Sequence, residues 1–321
     1  MKTTLIVVFL FSSVASADVF DYPKTKLHLS LGIANPSYNL EFQDKETEKK
    51  VSFKPNANSL LVPGFTYRGL FGWDWVVGLS WGFRQKILQE NIVKFGESKY
   101  DDFRFKFTFK SFLVEVYYSQ FRGFYIEDSK GADPSWDGSQ PNLQYPDMYA
   151  RTTGGTFTWV YHPEEYSIAG IVNQTERQAK SGGSWLSGAS INQTVFSNDT
   201  GLIPITIRDQ FGVGQDLTKG KFSALQVNCG YGYTLGTKWF VGGLIRFGLG
   251  AQLREAQLLN SESLDGWGIS SKLDAFITTG YNGDDFFTVI RSNAQGNIYN
   301  GLSSKITSTQ NNFSIVLGWH I

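Results

Sequence analysis

The densest group of residues able to do chemistry is Gln174, Arg177, Gln178, Lys180, Ser181 and Ser184, in the run NQTERQAKSGGSWLSG. Two cations flanked by amides and hydroxyls can grip an anionic group, a phosphate or a carboxylate, through charge-assisted hydrogen bonds. The same residues can instead form a structural network, because buried cations need partners. Glu115, Glu176 and Asp274 are the acids available for that role. Nucleophilic chemistry has thinner support. Acyl hydrolysis needs a nucleophile, a base and an orienting group, and the chain has 3 His. His28 and Ser30 share one face of an N-terminal segment, as Ser314 and His320 do at the C-terminus, while His162 sits beside Pro163 in a turn. This is geometry without a motif, so no catalytic residue is assigned. No His/Cys/Asp cluster has metal-ligand spacing, and no cofactor is expected. The acidic pairs Asp101-Asp102 and Asp284-Asp285 read as solvated strand ends.

The elements that must position these residues alternate with a period of two, the pattern of half-buried strands. The C-terminal run NFSIVLGWHI puts Phe313, Ile315, Leu317, Trp319 and Ile321 on one face and Asn312, Ser314, Val316, Gly318 and His320 on the other. WDWVVGLSWGF sets Trp73, Trp75, Val77, Leu79, Trp81 and Phe83 against Asp74, Gly78, Ser80 and Gly82. FRFKFTFK sets Phe103, Phe105, Phe107 and Phe109 against Arg104, Lys106, Thr108 and Lys110, an arrangement foreign to a soluble two-sided sheet. KWFVGGLIRFGLG sets Val241, Gly243, Ile245, Phe247 and Leu249 against Gly242, Leu244, Arg246, Gly248 and Gly250. Strands apolar toward lipid and small or polar toward a lumen define an all-β, transmembrane antiparallel β-barrel. Arg104, Lys106, Glu115, Arg246, Lys272 and Asp274 then point inward, with Arg291 a further candidate. Their mixed signs favour a closed or narrow interior, since a selective pore carries one dominant sign.

Thirteen segments carry the strand pattern, YSIAGIVNQTERQAK among them. Single-chain bacterial barrels have even strand counts, with short periplasmic turns and long outer loops. Counted from the N-terminus, Leu70–Gly72, Lys110–Ser111 and His162–Glu165 are periplasmic; counted back from the C-terminus, so are Gly236–Thr237 and Gly280–Asp284. The two counts collide between Tyr166 and Gly220. Either two candidates merge, giving twelve strands, or LIPITI at 202–207 is another strand, giving fourteen; twelve is preferred. Residues 35–57 and 127–150 read as long outer loops.

Residues 1–17 read as an export signal peptide, with Lys2 as the charged region, Leu5–Phe11 as the apolar core and Ala15-Ser16-Ala17 as the cleavage site. Residues 18–321 are then one barrel domain. The chain's 29 basic and 29 acidic residues, less Lys2, leave a mature charge of one negative. That argues against a nucleic-acid partner, which needs a basic surface. Cys229 is the only cysteine, so no intrachain disulfide forms. The expected location is the outer membrane of a Gram-negative bacterium, with its lipids as partners. The insertion machinery would be engaged through the C-terminal strand, where Trp319 and Ile321 face outward. The function this supports is a narrow pore or an envelope protein binding a small ligand, an anion among the candidates. Glu115, Arg246 and Asp274 join residues 174–184 as lumen candidates. A lipid- or glycan-modifying barrel enzyme and an adhesion barrel acting through its outer loops are the alternatives.

Three stretches carry a family resemblance. They are Gln174, Arg177, Gln178, Lys180, Ser181, Gly183 and Ser184; Gly123 to Ile126; and Gly230 to Thr234. Together they resemble the outer-membrane proteins grouped as domain of unknown function 4421. The resemblance implies an exported, barrel-like protein and no established biochemical activity. Gly182 stands where the family pattern has Ala.

Overall fold

The computed structural model describes residues 20–21, 25–56, 59–69, 75–84, 91–260, 262–301 and 304–321. The leader at 1–17 and the turn Leu70–Gly72 lie outside these residues. The strands are β1 (Phe20–Asp21), β2 (Leu27–Asp44), β3 (Lys50–Lys54), β4 (Leu60–Arg68), β5 (Val76–Arg84), β6 (Lys99–Phe109), β7 (Phe112–Ile126) and β8 (Gln144–Val160). They continue as β9 (Arg177–Gln178), β10 (Gly182–Ser197), β11 (Leu217–Gly236), β12 (Trp239–Leu258), β13 (Ser263–Asn282), β14 (Phe286–Asn300) and β15 (Ser304–His320). Among the described residues three single-turn α-helices accompany them: α1 (Ile92–Phe95), α2 (Ser129–Ala132) and α3 (Ile168–Val172).

All strands but β1, β3 and β9 form one antiparallel ring of twelve. Neighbours in sequence are neighbours in space, and β15 closes the ring on β2 with Trp319 opposite Leu29 and His320 opposite His28. Closure leaves no free edge, which is what permits strands to stand in lipid. The alternation read from the sequence sets the two faces. Outward lie Trp239 at 71 % exposure, Val241, Ile245, Phe247 and Leu249; Gly242, Leu244, Arg246 and Gly248 between them point inward. Exposed aromatics flank this apolar belt, with Trp185, Trp239, Trp319 and Phe286 toward one end and Trp267 toward the other. Such girdles mark the two membrane interfaces. No helix among the described residues is long and apolar enough to cross a membrane.

The tight turns at Lys110–Ser111, Thr237–Lys238 and Gly283–Asp285 lie at the same end as Leu27 and His320. We call this the turn end and the opposite one the loop end. At the loop end β2 changes partner. Leu27–Ala34 pair with β4, but Leu40–Gln43 pair with β3, whose Phe53 and Lys54 reach across to Ile126 and Tyr125 of β7. One strand above thus replaces the three strands β4, β5 and β6 below, and the barrel narrows toward its loop end.

The preferred count of twelve holds, its fourteen-strand alternative fails, and two expectations are corrected. YSIAGIVNQTERQAK is not a wall strand: β8 pairs directly with β10, and the chain between them enters the lumen. Removing it from the thirteen candidates leaves the even ring. LIPITI is not a strand either. Leu202 and Ile203 are buried and 3-10 turns occupy Ile205–Gly214, consistent with Pro204 offering no ladder donor. The loops at 35–57 and 127–150 are shorter than expected, because β2 runs on to Asp44, β3 forms a hairpin with it, and β8 begins at Gln144. Polar outward residues such as Ser37 and Asn39 hid the continuation; the inward Tyr38, Leu40 and Phe42 carry it.

Candidate functional site

The lumen is filled in three layers. At the loop end an apolar core joins inward residues of the strands to the segment 198–216, which folds across the mouth. Phe42, Phe53, Phe196, Phe222 and Tyr299 pack there with Leu202, Ile203, Ile207 and Phe211. Rings of Phe42 and Phe196 meet edge to face at 5.1 Å, and Phe196 stacks on Phe222 at 5.7 Å.

At the turn end the seal is the segment 161–181 between β8 and β10, every residue of which from Tyr166 to Gln178 is buried. Ser167 caps α3 by accepting from the Gly170 amide at 2.8 Å, and its hydroxyl donates to Glu176 at 2.6 Å. The apolar side chains of this plug, Tyr166, Ile168, Ile171 and Val172, pack on Leu113, Val160, Leu186, Phe240, Leu244 and Phe287 of the wall. Two wall glycines make room. A Cβ on Gly232 would stand 2.6 Å from Tyr166 Cε1 and Oη, and one on Gly242 would meet the Ile171 terminal methyl. The Tyr166 hydroxyl donates to the Gly243 carbonyl at 3.1 Å.

Polar contacts latch the plug. Arg177, 4 % exposed, pairs with Asp21 and with Asp284, the latter at 2.7 Å. The backbone reinforces this, since β1 pairs antiparallel with β9. Gln174 stands at φ +57° and accepts from Arg291 through its side chain. Asn282 donates to the carbonyls of Gln174 at 3.2 Å and Glu176 at 3.1 Å. The hydrogen bond from Arg177, seconded by Lys238, holds the Asp284 carboxyl below the usual carboxylate range.

Between the two seals lies a charged chamber. Arg246 pairs with Glu115 at 3.1 Å and Asp274 at 3.5 Å and donates to Thr158 at 2.6 Å. Lys272 pairs with Asp274 at 3.0 Å, Arg104 with Asp102 at 3.1 Å, and Lys106 with Glu115 only at 4.0 Å. Arg104, Lys106, Glu115, Arg246, Lys272 and Asp274, with Val172 of the plug, line a cavity of about 40 Å³. A water needs roughly 10–15 Å³ of such space, so the chamber holds about three.

The structure therefore divides the residues singled out from sequence. Gln174, Arg177 and Gln178 lie in the plug, with Gln178 donating to the carbonyls of Glu165 and Lys180. Lys180 and Ser181 are exposed at the rim, where the Ser181 hydroxyl accepts from the Gly236 amide. Ser184 is buried on β10 and accepts from the His162 amide at 2.8 Å. Glu115, Arg246 and Asp274 meet in the chamber. The partners expected for Arg177 are corrected: Glu115 and Asp274 serve Arg246 and Lys272 instead. Asp284, expected to be solvated, is half exposed and also pairs with Arg177, whereas Asp102, expected to be solvated too, faces inward onto Arg104. Asp21, Tyr166 and Asn282 were not singled out by sequence.

His28 and His320 are brought together as expected from barrel closure. Their Nδ1 atoms meet, and His320 Nε2 bonds Asn282 Oδ1 at 3.1 Å. No hydrogen bond joins either ring to Ser30 or Ser314, so the pair extends the plug's network. No group of three or more His, Cys, Asp or Glu among the described residues could hold a metal.

A family model described as a domain of unknown function (DUF4421) matches residues 18–319. The chain belongs to that family. No curated protein matches it in sequence. Among solved structures it is similar to the outer membrane protease OmpT from Escherichia coli, at 10 % identity and TM-score 0.41 over 94 % of this chain and 98 % of that one. The toluene transporter TodX of Pseudomonas putida follows at 9 % identity and TM-score 0.31 over 92 % and 90 %. The transport unit of the Escherichia coli autotransporter AIDA-I gives 10 % identity and TM-score 0.33, also over 92 % and 90 %. Neighbours this remote, with such different activities, carry no argument about what this DUF4421 member does.

Proposed function

We propose that this protein is a Gram-negative outer-membrane barrel that holds a small polar ligand in its central chamber and exchanges it with the periplasm by withdrawing the 161–181 plug. The same reading takes residues 1–17 as an export leader, 18–321 as one barrel domain and the turn end as periplasmic, because short turns face that side. Insertion would begin from β15.

The observation that supports it is the inequality of the two seals. The loop-end seal is an apolar core shared by strands on every side of the narrowed ring. The turn-end seal is one connecting segment, anchored at Val160 and Gly182, whose ties to the wall are side-chain packing and a few polar contacts. It can leave without breaking a rung of the barrel ladder. A permanently open pore does not fit a lumen filled at both ends.

The test uses a Cys229→Ala background carrying Thr156→Cys, which places a thiol on the chamber wall. A membrane-impermeant maleimide is applied to each side of oriented proteoliposomes, with and without Arg177→Ala. Labelling from the turn side should rise in the Arg177→Ala protein while labelling from the loop side stays low. Equal labelling from both sides, with discrete steps in planar bilayers, would make the barrel a pore instead. No change on releasing the latch would end the gating reading.

A further inference from the structure

We propose that the central chamber is a binding site for one small oxyanion of the size and charge of inorganic phosphate. This names the ligand of the reading above and rests on it for access, because Val172 of the plug closes the chamber.

Charge carries the first part of the argument. Four cations line the chamber, Arg104, Lys106, Arg246 and Lys272, against two lining carboxylates, Glu115 and Asp274; outside the lining, Asp102 pairs with Arg104 and Arg291 bonds the plug, which makes five cations to three carboxylates. Arg291 is held by the neutral side chain of Gln174, so its charge is not cancelled. The surplus is two positive charges in a space walled from solvent at both ends. A buried cation without a counter-charge is far costlier than a paired one. The deficit is greatest at Lys106, whose nearest carboxylate is Glu115 at 4.0 Å, already engaged by Arg246 at 3.1 Å. Arg246 also keeps a buried Nε–H with no acceptor. A dianion beside Lys106 and Arg246 would remove the surplus and accept from both.

Space and chemistry carry the second part. Room for about three waters, each with a liquid volume of about 30 Å³, is room for one tetrahedral oxyanion. Guanidinium forks suit its several oxygens better than they suit a halide. Asn293 and Gln295 add amide donors on the same wall. The enclosure leaves no place for acyl chains or a sugar. The occupant is therefore the free ion, and a phosphate ester is the competitor to be tested.

The experiment measures binding to the full chain, refolded in detergent in a chloride- and phosphate-free gluconate buffer. Phosphate, sulfate, chloride and glycerol phosphate are titrated at constant ionic strength, by calorimetry and by thermal unfolding. The parent and the latch-released Arg177→Ala protein are both used, so that a shut plug does not mask the site. Phosphate or sulfate should bind once per barrel and raise the unfolding midpoint saturably. Chloride and glycerol phosphate should bind more weakly. Lys106→Met should weaken phosphate about tenfold or more, the loss of one charge-assisted hydrogen bond. Lys106→Arg should retain it, and Lys221→Met, on the outer surface, should leave it unchanged. Absence of saturable oxyanion binding in both parent and Arg177→Ala, or unaltered binding in Lys106→Met, overturns the proposal. Oxyanion binding without any change in side-specific labelling would sink the gating reading and leave this site standing. Gated labelling without binding would do the reverse.

Discussion

Replacing Gly232 by Ala should release the plug without touching any of its polar contacts. The new Cβ would stand 2.6 Å from both Cε1 and Oη of Tyr166. The ring has no means of yielding. It is fully buried, and its hydroxyl is fixed on the Gly243 carbonyl at 3.1 Å. Overpacking of this kind costs about 1–3 kcal/mol. The cost falls on the plugged state alone, because a withdrawn Tyr166 no longer meets position 232. Gly242→Ala should cost less, since its Cβ meets chiefly the Ile171 terminal methyl and the Thr234 hydroxyl, which can turn aside, with the Tyr233 carbonyl further off at 3.3 Å. Gly296→Ala is the control: nothing lies within 4 Å of its Cβ, and Ala in mid-strand is favoured over Gly by roughly 0.5–1 kcal/mol. The assay is hydrogen exchange at the Gly170 and Asn173 amides, bonded to Ser167 Oγ at 2.8 Å and the Ala169 carbonyl at 2.9 Å. Both bonds belong to a one-turn helix too short to persist away from the wall, so their exchange reports the plug's opening. A loss of about 1–3 kcal/mol should speed exchange roughly 5- to 150-fold. Tyr166→Ala alone should cost about 3–5 kcal/mol, and in that background Gly232→Ala should lose its effect, a coupling of about 1–3 kcal/mol. Equal acceleration in Gly296→Ala, or additivity within about 0.5 kcal/mol, would refute the packing account of plug closure.

The remaining expectations address the latch, the chamber and the other seal. The Asp284 carboxyl is held below the usual range chiefly by Arg177, so its contribution is complete above an unfolded value near 3.9 and is lost as pH falls through its folded value. Plug exchange corrected for intrinsic rates should gain an acid limb below about pH 4, and Asp284→Asn should reduce that limb. Arg246→Met leaves Asp274 to Lys272 at 3.0 Å and Glu115 to Lys106 at 4.0 Å, so it should destabilise the barrel by less than the about 3–5 kcal/mol of a stranded buried charge, read from guanidinium unfolding in detergent. Phe211→Ala, in the loop-end core at 1 % exposure, should cost about 3–5 kcal/mol. It should expose 198–216 to protease while exchange in the plug stays at parent rates; a matching acceleration there would mean that the two seals act as one.

The barrel was legible because lipid imposes one rule on every strand. Val241, Ile245 and Phe247 must face outward, so Gly242, Leu244 and Arg246 are placed inward by position alone. Closure follows from the same pattern, and with it the meeting of His28 and His320. The plug obeys no such rule. Tyr166, Ile168, Gly170 and Val172 alternate as a strand would, yet Ile168, Ile171 and Val172 also fall at the spacing of one helical turn. Short apolar runs are ambiguous in this way. Ser167 resolves the ambiguity, because a serine directly before Ile168 is a helix N-cap and its hydroxyl does accept from Gly170. The unequal counts of short turns from the two ends pointed to the same segment. A wall strand there would have reversed every strand after it.

The polar motif was legible as a cluster and not as a site, and the reason lies in its neighbours. Arg177 and Lys180 are three apart and similar in charge, so sequence offers no ground for separating them. Burial separates them completely: Arg177 is enclosed, while Lys180 stands in solvent at the rim. What decides this is where the acids fall. Asp21 and Asp284 come from β1 and from the turn after β13, distant in sequence and joined only by barrel closure. Once they hold Arg177, the motif is spent on closing the lumen. The surplus cations must then be sought where the carboxylates run out, among Arg104, Lys106, Arg246, Lys272 and Arg291. Those residues come from four strands, β6, β12, β13 and β14, and no linear motif could have grouped them. The division of labour is accordingly between a cluster local in sequence, which shuts the chamber, and one assembled by the ring, which gives the chamber something to hold.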